Sequence, residues 1–129
     1  MILGAGEIRT WFEEAFGIMS GPIDRKMLEE TFGPEAAREV LDLFLSNVED
    51  TIGRLEAAIE SQDHGAGAAA AHEINGTALS VGSGEMATCA KQLELMLNAG
   101  NDPRAGEVLA KLKELFGQVK ADIAESGSH

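Results

Sequence analysis

The chain has 129 residues, 44% hydrophobic and 25% charged, which suits one domain folded around a single core. Its 22 acidic and 10 basic residues leave a formal charge of −12. That argues against nucleic acid and anionic membrane surfaces as partners, because both recruit basic footprints. No apolar run approaches the roughly 20 residues that span a bilayer, and the N-terminus lacks the basic segment and cleavage site of a secretory signal. The lone Cys89 can form no internal disulfide, so a cytoplasmic location is expected.

In chain order, Ile8, Trp11, Phe12, Ala15, Phe16 and Met19 recur at amphipathic helical spacing. Residues 1–21 therefore read as an N-terminal amphipathic helix or an added extension. As a native element it would lie across the bundle or serve for partner binding or dimerisation; its charges, Glu7, Arg9, Glu13 and Glu14, do not make the basic face of a membrane-surface helix. Gly21-Pro22 is a break. Asp24 is placed to cap a short helix reaching Thr31, and Gly33-Pro34 stops it and starts the next. From Glu35 to Ser61, Ala37, Val40, Leu41, Phe44, Leu45, Val48, Ile52, Leu55 and Ile59 form one core-facing stripe.

Asp63 caps an alanine-rich helix that carries His72 and ends near Val81-Gly82. Gly82-Ser83-Gly84 is a short connection, with Ser83 expected as the cap of a helix from Glu85 to Ala99. That helix buries Met86, Cys89, Ala90, Leu93 and Leu97. Gly100-Asn101-Asp102-Pro103 then reads as Gly at C′, Asp at N-cap and Pro at N1. Leu109, Leu112, Leu115, Phe116, Val119 and Ile123 supply the stripe of a final helix. No strand pattern appears. The expected fold is all-α: an up-down-up-down four-helix bundle over residues 22–125, with the additional N-terminal helix and a tail at 126–129.

Around the helix that carries His72, Ala71, Ile74, Ala78 and Val81 fall within about 80° of arc, while His72, Asn75, Gly76 and Leu79 spread over about 100° on another side. His72 thus faces outward, beside the bare backbone of Gly76 four residues later. An ordinary solvated histidine satisfies the same pattern. His72 lies roughly 15 Å before the Gly82–Gly84 turn, and Glu94 returns to that level on the next helix. A carboxylate there can accept from Nδ1–H and leave Nε2 bare toward solvent; a solvated, surface-facing glutamate fits equally. Other chemistries fit less well. His64 and Cys89 do not make a metal-ligand spacing with His72, so no metal site is expected. A buried Cys89 is no nucleophile, Ser80 and Ser83 lack a strand–turn–helix setting, and no glycine-rich nucleotide loop is present.

The segment HEINGTALSVGS followed by ATCAKQLE resembles the signature of histidine-containing phosphotransfer (HPt) domains. Ala71, His72, Ile74, Gly76, Thr77, Gly82, Leu93 and Glu94 fall on its positions, with Ile23-Asp24, Phe44, Leu55 and Asp63 as weaker matches, and the likeness runs from about Pro22 to Glu125. It departs at Asn75, where the family usually has lysine. The resemblance implies a phosphorelay intermediate: His72 as phosphoryl acceptor, Glu94 orienting its imidazole, and Ala68, Ala69, Asn75, Gly76 and Leu79 forming a flat docking surface. It implies receiver domains of response regulators as partners, with a hybrid sensor kinase as a further one. It implies no cofactor of its own, because the receiver brings Mg²⁺. A monomer is expected, with dimerisation through the N-terminal helix as the other arrangement. Two other classes fit the same residues: a pseudo-phosphotransfer binding module that is never phosphorylated, and a purely structural bundle.

Overall fold

The computed structural model describes residues 23–100 and 102–127. The helix expected within residues 1–21 lies outside the described residues. Within them, all regular structure is helical: α1 (Arg25–Phe32), α2 (Pro34–Glu60), α3 (His64–Ser80), α4 (Gly84–Asn98) and α5 (Ala105–Gly127).

The helix starts follow the chemistry of their caps. Asp24 accepts from Met27 N at 3.0 Å and Asp63 from Ala66 N at 3.1 Å, each satisfying one of the unpaired donors of a first turn. Pro34 opens α2 directly after Gly33, whose φ of 84° ends α1. Ser83 occupies the cap position of α4 as expected, but its side chain makes no cap bond. Gly100, at φ 115°, sits just past α4 in the role assigned to it. The following helix begins at Ala105, not at Pro103. Asp102 spends its carboxylate on Arg104, accepting from the backbone N at 2.9 Å and from the guanidinium, which closes a turn before the helix starts. At its other end α5 runs to Gly127, beyond the boundary expected at 125.

The long helices pack in a ring: α2 on α3, α3 on α4, α4 on α5, and α5 back on α2. Cross-helix contacts tie neighbouring helices together. Arg54 meets Glu73, His72 meets Glu94, and Cys89 meets Val108. Phe44 and Phe116 stack edge-on across α2 and α5, with centroids 6.3 Å apart. Among the described helices the most extensive interface joins α3 and α4. Small buried residues, Ala71 and Ala78 on one helix and Ala87 and Ala90 on the other, let the two backbones approach. Leu28, Leu55, Ile74, Met86, Leu93 and Leu112 fill the centre, each fully buried. The short α1 is tied to the α3–α4 turn, where Asp24 N donates to Val81 O at 2.9 Å. At Gly82, with φ 74°, a side chain would collide with Asp24, so that turn requires glycine.

Candidate functional site

The site lies on the α3–α4 hairpin, well away from the turn. Asp63 fixes where α3 begins, the buried Ala71, Ile74 and Ala78 fix its rotation, and His72 is thereby turned to solvent with 69% of its side chain exposed. On α4, the buried Ala90, Leu93 and Leu97 fix a rotation that brings Glu94 beneath the imidazole. Nδ1 of His72 lies 3.2 Å from Oε1 and 3.1 Å from Oε2 of Glu94. An ionised carboxylate only accepts, so Nδ1 is the protonated nitrogen, and in the neutral ring Nε2 carries the lone pair. No described residue bonds to Nε2.

Glu94 is less exposed than the sequence suggested. Only 12% of its side chain is accessible, because it is wedged below His72 and beside Lys91. Partial burial pushes its carboxyl upward, but the hydrogen bonds from His72 and Lys91, with the positive charge of Lys91, outweigh that and hold it below the ordinary glutamate value. Glu94 therefore stays ionised and remains an acceptor for the imidazole across the neutral pH range.

The remaining residues of the expected docking surface divide. Ala69, Gly76 and Leu79 are exposed on α3 as expected, Leu79 to 59%. Around Gly76 there is open space: a Cβ built there would meet nothing within 4 Å. Ala68 is not on that surface. It is only 5% exposed and belongs to the core. Asn75 also differs from its expected place beside the imidazole, because its Nδ2 donates to Ala87 O at 2.8 Å and it is half-buried against α4. An amide at the edge of a helix interface finds a backbone carbonyl more readily than it projects into water.

Three residues that the sequence reading did not assign also stand here. Lys91 bridges to Glu94 Oε1 at 3.3 Å, and its i, i+3 spacing from Glu94 is the sequence signal for it. Arg54 of α2 pairs with Glu73, the residue after His72, at 2.8 Å. Leu95, next to Glu94 on α4, is 57% exposed. The exposed Leu95 could not be told from an ordinary surface leucine.

Among the described residues, no group of three or more His, Cys, Asp or Glu side chains gathers where it could hold a metal. No helix among them is long and apolar enough to cross a membrane. Cys89 is buried, its thiol 3.6 Å from Val108 O.

A family model described as the Hpt domain matches residues 39–122, which include α3, α4 and every residue of the site. No curated protein gives a significant match. Among solved structures, histidine-containing phosphotransfer protein B (HptB) from Pseudomonas aeruginosa PAO1 superposes with a TM-score of 0.78 at 22% sequence identity. That match covers 84% of this chain and 96% of the other, and establishes a common fold.

Proposed function

This chain belongs to the Hpt domain family, and from that premise we propose that it is a phosphorelay intermediate in which His72 takes a phosphoryl group from a receiver-domain aspartyl phosphate and passes it to a second receiver aspartate. The observation that carries the proposal is the exposed imidazole whose Nδ1 is held by both oxygens of Glu94 while no described residue bonds to Nε2. In the forward step the Nε2 lone pair attacks phosphorus. The Nε2–P bond forms, the acyl P–O bond breaks, and the receiver aspartate leaves as a carboxylate. No proton is released, because Nδ1 keeps its hydrogen. The ring then bears a formal positive charge that faces the Glu94 carboxylate, and the second transfer reverses these changes on a different aspartate.

Phosphoryl transfer of this kind depends on in-line positioning and on neutralising the three equatorial oxygens. In this reading the receiver brings the Mg²⁺ that performs most of that neutralisation. The chain's part is the oriented nucleophile and a surface on which the receiver sits. Ala69, Gly76 and Leu79 on α3, with Leu95 on α4, supply exposed apolar or small contacts around the histidine. A hybrid sensor kinase as a further partner, a monomeric state and a cytoplasmic location belong to the same proposal.

The test is incubation with a panel of phosphorylated receiver domains, followed by chemical typing of the label. The expected product is acid-labile and alkali-stable, as a phosphoramidate is, and absent from His72→Gln. Label surviving in His72→Gln, or no transfer from any receiver, refutes the proposal; the second outcome leaves a binding module that is never phosphorylated.

A further inference from the structure

We infer that Lys91, reaching across from α4, supplies the positive charge beside the phosphorylated imidazole that Asn75 cannot supply from α3. The inference rests on the phosphorelay reading of His72, and its test is arranged so that the two can fail separately.

Phosphorylation of Nε2 places a dianionic group next to a site that already holds the Glu94 carboxylate. Glu73 is the adjacent residue on α3. An unrelieved cluster of this kind would disfavour the phosphorylated state. Asn75 offers no charge, and its amide is already committed to Ala87 O at 2.8 Å. Arg54 of α2 is held by Glu73 Oε2 at 2.8 Å and by Thr51 Oγ1 at 3.1 Å, on the far side of α3 from α4.

Lys91 is placed differently. Its Nζ is 3.3 Å from Glu94 Oε1, and that same oxygen is 3.2 Å from Nδ1 of His72. The ammonium therefore lies no more than about 6.5 Å from the ring. Half of the Lys91 side chain is exposed, and its stem of four methylenes is free to swing. A surface i, i+3 pair with Glu94 is a weak tether. Moving Nζ from a single carboxylate charge to a dianion increases its electrostatic interaction, while Glu94 keeps its bond to Nδ1–H. The two residues then act on different atoms of one group: Glu94 on the protonated nitrogen, Lys91 on the phosphoryl oxygens.

The experiment uses the full chain with His64→Gln and His129→Gln, phosphorylated on His72 by potassium phosphoramidate. In that reaction the donor P–N bond breaks as Nε2–P forms, and ammonia leaves, so no receiver is needed. The ³¹P signal is followed against pH for Lys91 and for Lys91→Gln. A neighbouring ammonium favours the dianion, so the midpoint of the phosphoryl ionisation is expected at higher pH in Lys91→Gln. The separation should narrow as salt rises from 0.05 to 1 M. With a phosphorylated receiver, Lys91→Gln should move the transfer equilibrium roughly twofold to fivefold toward the receiver.

Adding Asn75→Lys to Lys91→Gln should bring the midpoint back toward its original pH. Coincident midpoints with and without Lys91, or a separation indifferent to salt, overturn the inference. A Lys91-dependent midpoint in a protein that accepts nothing from any receiver would sustain it while refuting the relay. Lys91 is exposed and outside the core, so the substituted protein folds.

Discussion

Gly76 offers a way to separate helix stability from access to the histidine. It sits mid-helix four residues after His72, where glycine costs about 0.8–1.0 kcal/mol relative to alanine. A Cβ there would meet nothing within 4 Å, so the propensity gain comes without steric cost. Gly76→Ala should stabilise the domain by about 0.5–1 kcal/mol, a rise of roughly 2–4 °C in melting temperature for a chain of this size. Gly67 in the same helix is the internal control. Its Cβ would lie 3.0 Å from Cδ1 of Leu97, itself buried, and 3.7 Å from Cβ of Ala58. Overpacking of this kind costs about 1–3 kcal/mol, so Gly67→Ala should fall at least 1 kcal/mol below Gly76→Ala in urea or thermal unfolding. Gly76→Gln keeps a good helix former but sets a long side chain beside the imidazole. It should unfold no earlier than wild type and yet accept a phosphoryl group from a receiver several-fold more slowly. Equal melting temperatures for the two alanine variants would refute the packing argument. Transfer to Gly76→Gln at the wild-type rate would refute close approach at this position.

Replacing Glu94 by alanine should shift His72 away from the Nδ1–H tautomer, seen in the ring ¹⁵N chemical shifts, and slow transfer without loss of helicity; unchanged shifts would remove Glu94 from the mechanism. Because the Glu94 carboxyl is held below its ordinary value of 4.5, its stabilising contribution is fully present above that pH and is lost as pH falls through the lower native value. The stability difference between wild type and Glu94→Ala should therefore fade only below pH 4.5 in urea titrations. Burial pushes the Cys89 thiol upward, with Lys111 opposing only in part, so native alkylation by iodoacetamide at pH 8 should run at least about a hundredfold slower than in urea. Comparable rates would show that α4 opens easily.

The bundle was readable because its signals are local and redundant. Asp24, Asp63, Gly33-Pro34 and Gly100 each mark an end by cap or backbone chemistry, and the stripes on α2, α4 and α5 repeat over several turns. The start of α5 was misread because Asp102 had two uses for one carboxylate, and the turn with Arg104 took it. The level of Glu94 opposite His72 followed from counting residues either side of the turn. Its shelter did not, because the imidazole that covers it belongs to another helix.

The two misplaced site residues share one cause. With Ala71 at zero, Asn75 and Ala68 project at about 40° and 60° around α3, and Leu79 and His72 at about 80° and 100°. The structure covers the first pair and exposes the second, so the edge of α4 falls between them. A helical wheel orders residues around one axis but does not say where the neighbouring axis lies. Alanine and asparagine give no help, since alanine is at home on either side of such an edge and an asparagine amide can bond to water or to a carbonyl. That edge has a chemical consequence. A residue three positions after His72 lies on the covered side of it, where a short amide is drawn to the Ala87 carbonyl. On the proposed phosphorelay reading, a charge meant for the phosphoryl group must then come from a long stem or from the helix on the other side. Lys91 satisfies both conditions, which is why the departure at Asn75 and the Lys91–Glu94 pair are best understood as parts of one electrostatic arrangement.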